Sequence, residues 1–157
     1  MLDKTYPYRL WKLGKDFRKY AELMIVNKIE SADSRILYFM IGHSFELVLK
    51  AFLLTQVNFN TNNNFTINEL RSRRRYGHNL KKLFDESVKF KNFKSIVKDV
   101  NNLESYIDNI DVYYKDKDFE YLETGIIFVD NPQNLLKSLD LLIKKCEKIC
   151  EDFLNRI

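Results

Sequence analysis

The scarcity of chain-breaking residues is the strongest constraint on this sequence, because only four glycines and two prolines occur among 157 residues. β-Sandwiches and β-barrels need many tight turns, which depend largely on those two residue types. Long helices need few of them, so the chain is expected to be all-α. Its length fits a single domain spanning residues 1–157, and a hydrophobic content of 45% is ordinary for a globular protein.

Apolar residues recur at three- and four-residue steps and predict a bundle of about five helices. We expect these helices at residues 8–29, 34–57, 78–90, 93–110 and 132–157, with one short helical turn at 67–70. Two long connections separate them. The first, residues 58–77, is rich in asparagine and then in arginine, and the second, residues 113–130, is acidic and aromatic. Connections of that length are uncommon in compact domains and are usually functional or mobile.

The predicted second helix is apolar nearly all round, which indicates the central helix of a bundle. His43, Glu46 and Lys50 interrupt it at spacings of three and four, so they share one face. They make the segment too polar for a membrane span, and no membrane partner is expected. Unpaired buried charges are costly, so the trio should be paired or line a polar cleft. The alternative is a purely structural trio, since ion-pair networks also occupy such positions, and one His and one Glu are too few ligands for a metal site.

A basic segment, residues 71–82, precedes and begins the predicted third helix. Arginine side chains suit phosphate and an aromatic ring can stack on a base, so RNA or an acidic protein surface would be a natural partner. A solvated charged loop is the alternative, with His78 serving only as a helix cap. The predicted binding residues are Arg74, Arg75, Tyr76, Lys81 and Lys82, which lie beside Arg71, Arg73 and His78.

Charge and cysteine usage add weaker constraints. The net charge of +4 permits an acidic partner without demanding one. Cys146 and Cys150 are four apart on the last predicted helix and are poorly placed for a disulfide, which favours a cytoplasmic location.

Residues 1–6 lack the apolar core of a signal peptide. The chain contains no phosphate-binding glycine loop, zinc cysteine pairs or HExxH motif, so no cofactor or metal is expected.

Two segments resemble HEPN domains, the helical bundle family of prokaryotic toxin, defence and RNA-processing systems. Residues 41–54 (IGHSFELVLKAFLL) are similar to the family's second helix, in which a Glu and a Lys four apart interrupt an apolar run. Residues 76–83 (YGHNLKKL) are similar to the GH-x-L opening of the following helix. The resemblance implies an up-and-down bundle and often a homodimer.

In the ribonuclease branch the resemblance implies metal-independent RNA cleavage by an Arg followed, after four to six residues, by a His. The His would help activate the 2′-hydroxyl and the Arg would stabilise charge on the phosphate. The last predicted helix, where that pair usually lies, contains no His. The chain's matches are Arg73 with His78, four residues between, and Arg71 with His78, six between.

Three hypotheses follow for function. The favoured one is a HEPN-like protein that binds RNA or an antitoxin-like protein partner in a toxin–antitoxin, defence or RNA-associated system, with or without catalysis. The second is a metal-independent endoribonuclease that uses His78 with Arg73 or Arg71. The third is a helical protein-interaction domain that binds no nucleic acid.

Overall fold

The computed structural model describes residues 5–28, 34–56, 66–72, 74–116 and 128–156. Within these ranges every regular element is an α-helix, which confirms the all-α prediction. The helices in chain order are α1 (Tyr6–Val26), α2 (Ser34–Thr55), α3 (Ile67–Arg71), α4 (Leu80–Ser87), α5 (Lys91–Asp99), α6 (Leu103–Tyr114) and α7 (Pro132–Leu154).

The described helices number seven, so the prediction of about five was wrong. The predicted helix at residues 93–110 is divided into α5 and α6 by a break at residues 100–102. Asn102 adopts the left-handed conformation there, with φ of 61°, which asparagine tolerates better than most residues. The short turn expected at 67–70 is α3, which begins with a capping box between Thr66 and Glu69.

Helix α2 is the centre of the core. Every residue from 41 to 55 is buried except His43, and α2 packs against α1, α4, α6 and α7. Gly14 lets α1 approach closely, because a Cβ there would lie 2.8 Å from Val48 Cγ2. At the same crossing the Ser44 hydroxyl donates to the Gly14 carbonyl at 2.6 Å.

Helix α2 is also long and apolar enough to cross a membrane by length and composition alone. Its most apolar 18-residue window has a mean hydropathy of 1.5, and 72% of that window is buried inside the fold. Core helices of globular proteins meet the same criterion, so burial against the neighbouring helices is sufficient to explain its composition.

Helix α7 closes the core against α1 and α2. Asn131 caps its start through a bond from the Gln133 amide, and Pro132 occupies its first turn. Its inward stripe includes Cys146 and Cys150, which are buried free thiols. α1 is tied to α7 by the indole of Trp11, which donates to a main-chain carbonyl of α7 at 2.9 Å.

Candidate functional site

The Glu46 carboxylate lies at the centre of a buried polar cluster. Glu46 is on α2 and is only 3% exposed. One turn along the same helix, Lys50 donates from Nζ to Glu46 Oε1 at 2.5 Å. This is the ion pair for which the spacing of these two residues is favourable.

The second carboxylate oxygen gathers three side chains from distant parts of the chain. The Tyr114 hydroxyl, from the end of α6, donates to Glu46 Oε2 at 2.5 Å. His78 Nδ1, from the turn before α4, lies 2.9 Å from the same oxygen. His43 Nδ1 lies 3.5 Å from it and 2.9 Å from the Tyr114 hydroxyl oxygen. We call Glu46, Lys50, His43, His78 and Tyr114 the Glu46 cluster.

The cluster holds Glu46 as an anion. Burial by itself raises the pKa of a carboxyl group, but hydrogen bonds from His43 and His78 and the charge of Lys50 act in the opposite direction. The net effect places the pKa of Glu46 well below its ordinary value, so the group is ionised at neutral pH.

The available donors and acceptors determine the tautomers of both histidines. The single hydroxyl proton of Tyr114 goes to Glu46, so His43 Nδ1 must donate to the Tyr114 oxygen. An ionised carboxylate only accepts, so His78 Nδ1 must donate to Glu46. Each neutral ring therefore keeps its lone pair on Nε2, and neither Nε2 is hydrogen-bonded within the described residues. A histidine held in this way by a carboxylate has the tautomer and orientation of a general base.

Helix α6 carries Tyr114 and also holds the turn that carries His78. Tyr114 packs flat against α2 at Gly42, which has no side chain. A Cβ at that position would lie 2.6 Å from Tyr114 Cδ2, too close for the ring to stay where it is. One turn earlier, Asp111 Oδ1 accepts from the Leu80 main-chain amide at 2.7 Å, which joins α6 to the start of α4. Burial raises the pKa of Asp111, and the amides of Leu80 and Lys81 oppose that rise.

The members of the Glu46 cluster other than Tyr114 form the polar wall of a cleft of about 430 Å³. Helices α1 and α2 form its sides, and the end of α3 and the turn before α4 complete it. Its opposite wall is largely apolar. The lining residues are Tyr6, Leu10, Leu13, His43, Glu46, Leu47, Lys50, Leu54, Leu70, Arg71, Gly77 and His78. The structure thus brings the His43, Glu46 and Lys50 trio together with His78 and Arg71.

His78 also lines a second, shallower depression of about 330 Å³ on its other side. Lys82 of α4 and Lys115, just after α6, line that depression together with the carboxylate of Asp116. The His78 side chain is 36% exposed, so its free edge can be reached from the surface. Both cavities that His78 lines therefore contain cationic side chains, Arg71 in the cleft and the two lysines in the depression.

Some of the predicted binding residues are engaged within the fold. Arg75 forms an ion pair with Glu69 of α3. The pKa of Lys81 is raised by its hydrogen bond to Glu104 and by the other acids around it. Lys81 Nζ lies near three carboxylates, at 2.9 Å from Glu104, 3.1 Å from Asp108 and 3.2 Å from Asp85. These two cations are therefore less available to a ligand.

Other members of the basic segment are more accessible. Arg71, Arg74 and Lys82 are exposed and take part in no ion pair within the described residues. Tyr76 is half-buried, and burial together with Glu86 raises its pKa. Arg73, one of the two predicted arginine partners of His78, lies outside the described residues.

Tyr114 is the member of the cluster that the sequence analysis did not identify. It falls in the predicted acidic and aromatic connection, residues 113–130, and it is 68 residues from Glu46 in the chain. The one local signal for it is Gly42, a glycine within a helix, which commonly marks a close approach by another group.

No protein-family model, curated protein or solved structure matches this chain. The chemical capacity of the cleft follows from its own groups, which are two oriented imidazoles, a buried anion and an exposed guanidinium. Among the described residues no group of three or more His, Cys, Asp or Glu side chains is arranged to hold a metal ion. Proton transfer and phosphate binding are the chemistry that the groups present can perform.

Proposed function

We propose that this chain is a HEPN-like helical protein that binds RNA across the Glu46 cluster and cleaves it by metal-independent chemistry. The supporting observation is the position of His78, which is oriented by a buried anion and flanked by cations from two cavities. An up-and-down bundle, a homodimer, and a role in a toxin–antitoxin, defence or RNA-associated system belong to the same proposal. An antitoxin-like protein partner stays a prediction.

The distribution of charge around His78 favours an extended phosphate-bearing ligand. Arg71 lines the cleft beside His78, and Lys82, Lys115 and Asp116 line the adjoining depression, so cations outnumber acids among these exposed side chains. A strand that crosses His78 would place successive phosphates near cations on both sides. Arginine and lysine side chains supply most of the affinity of proteins for nucleic acid backbones.

The cleavage step needs few groups because RNA carries its own nucleophile. His78 Nε2 takes the proton of a 2′-hydroxyl, and the 2′-oxygen forms a bond to the adjacent phosphorus. The bond from phosphorus to the 5′-oxygen breaks, and the released 5′-oxygen takes up a proton. The products are a 2′,3′-cyclic phosphate and a 5′-hydroxyl end. Arg71 would stabilise the charge that develops on the phosphate. A positioned histidine base contributes roughly 10²- to 10⁴-fold to such a rate.

Binding of RNA without cleavage is the second candidate, and the accessible cations of the basic segment favour it. Arg74 and Lys82 are exposed and lie outside the Glu46 cluster, so phosphate binding at these positions needs no proton transfer. In this case the imidazoles would serve only as additional hydrogen-bond donors to phosphate.

Cleavage is tested with a fluorescently labelled single-stranded RNA in buffer containing EDTA. We expect the wild-type protein to yield fragments with 2′,3′-cyclic phosphate ends. His78→Ala, purified identically, should lose that activity, and this comparison also controls for contaminating nuclease. If His78→Ala cleaves at the wild-type rate, His78 has no part in the reaction. Binding without fragments would leave the second candidate.

Binding is tested by measuring RNA affinity at several salt concentrations. Affinity should fall as salt rises, and Lys82→Ala should reduce the slope of log affinity against log salt by about 1. Lys94→Ala is the matched control, because Lys94 is an exposed lysine on α5 that lines neither cavity beside His78. An affinity that is absent, or that does not change with salt, would contradict RNA binding and favour the protein-interaction hypothesis.

A further inference from the structure

His43 lines the same cleft as His78 and is held by the same cluster. We propose that His43 is a second catalytic residue, the general acid that protonates the 5′-oxygen leaving group while His78 acts as the base. The inference rests on the proposed function, and it assigns to His43 a step for which the Arg and His pattern in the sequence provides no group.

The His43 ring is fixed in position by contacts on several sides. Its Nδ1 donates to the Tyr114 oxygen at 2.9 Å. Phe39 stacks on it with ring centroids 5.6 Å apart, and Phe17 meets it edge-on at 4.6 Å. The side chain is 23% exposed, and its Nε2 is not hydrogen-bonded within the described residues. A group needed only for packing could be apolar here, whereas this ring is oriented through one nitrogen and leaves the other for a ligand.

The two imidazoles are arranged around one carboxylate oxygen. His78 Nδ1 lies 2.9 Å and His43 Nδ1 lies 3.5 Å from Glu46 Oε2, so both rings border the same end of the cleft. This arrangement lets the two rings act as a pair on one phosphate. Tyr114 and Glu46 contact His43, and the other titratable or charged groups that line the same cleft are Lys50, Tyr6, Arg71 and His78.

The cleavage step requires that one of the two imidazoles is neutral and that the other is protonated. His78 in its neutral form accepts the 2′-hydroxyl proton, and the bond between the 2′-oxygen and phosphorus forms. As the bond between phosphorus and the 5′-oxygen breaks, protonated His43 transfers its Nε2 proton to that oxygen. One proton enters the pair and one leaves it, and exchange with water restores the starting state. The rate should therefore depend on pH with a maximum, since it needs one ring neutral and the other protonated.

The test uses His43→Asn, whose side-chain amide can keep the donor to Tyr114 but cannot transfer a proton. On ordinary RNA we expect its cleavage rate to fall by about 100-fold or more. On RNA with a 5′-bridging sulfur at the scissile linkage, whose leaving group needs no proton, the variant should retain activity close to that of the wild type. Its pH profile should also lose the fall at high pH that the wild type shows.

Each outcome bears on a different part of the inference. Equal losses on both linkages would show that His43 acts only through structure, and the Trp11 fluorescence of His43→Asn would show whether the fold is retained. If His43→Asn cleaves ordinary RNA at the wild-type rate while His78→Ala is inactive, the inference is wrong and the proposed function stands. If the wild type binds RNA and cleaves neither linkage, catalysis and the role of His43 fail together.

Discussion

Replacement of Glu46 by glutamine should destabilise the fold strongly, because it leaves a buried cation without its counter-ion. The Lys50 ammonium lies 2.5 Å from Glu46 Oε1, and its side chain is only 10% exposed. Removal of one partner from a buried ion pair typically costs about 3–5 kcal/mol. Glutamine can still accept a hydrogen bond from Lys50 through its amide oxygen, and Tyr114 can redirect its proton to His43. We therefore expect the free energy of unfolding to fall by about 3 kcal/mol, near the lower end of that range.

The measurement is urea unfolding at pH 7, followed by circular dichroism and by fluorescence. Trp11 is the only tryptophan and is buried, so its emission reports on the packing of α1 against α7. Agreement of the two signals would support a two-state transition. Glu104→Gln is the matched control, because Glu104 pairs with Lys81 but is 59% exposed, and its loss should stay below about 1 kcal/mol.

A double variant separates the charge from the shape of the side chain. Glu46→Gln combined with Lys50→Met removes the orphan cation, so it should recover a large part of the stability that Glu46→Gln loses. A loss for Glu46→Gln no greater than that for Glu104→Gln would refute the reasoning. So would a double variant that is less stable than the single one, because the orphan cation would then not be the source of the loss.

Three further predictions follow from the same structure. The native pKa of Glu46 lies below its unfolded value, so the ionised carboxylate stabilises the fold above about pH 4.5. As pH falls below that value, the wild type should lose more unfolding free energy than Glu46→Gln. Parallel curves of unfolding free energy against pH for the two proteins would contradict this. Gly42→Ala should cost about 1–3 kcal/mol in urea unfolding through its clash with Tyr114, and a net stabilisation would show that the ring moves away freely. Burial raises the pKa of Cys150 to about 12 and that of Cys146 well above its ordinary value, so a thiol reagent should label both only after unfolding.

The long helices could be predicted from the sequence because their signals are local. Apolar periodicity located α1, α2 and α7, and the last begins at the predicted residue 132. The break between α5 and α6 was missed because apolar spacing continues across it. Consecutive asparagines at 101 and 102 were the available signal, and Asn102 occupies the left-handed conformation that they favour.

The cluster was only partly predictable because its contacts join distant parts of the chain. Helical spacing predicted that Glu46 and Lys50 would meet, since they are one turn apart. His78 and Tyr114 reach the same carboxylate from 32 and 68 residues away. No periodicity within a single helix contains that information, and it depends on how α6 and the turn before α4 pack against α2.

The composition of the cluster argues that stability alone does not explain it. An apolar set of similar volume can replace a buried ion pair with little loss and sometimes with a gain in stability. Here the central helix carries an anion and a cation at positions where its neighbours are apolar, and two more elements supply polar partners. One oxygen of the carboxylate is taken by Lys50, while the other aligns His78 and, with Tyr114, His43. An arrangement needed only to neutralise a buried charge would not require two imidazoles with free edges on an open cleft, whereas the proposed cleavage uses both.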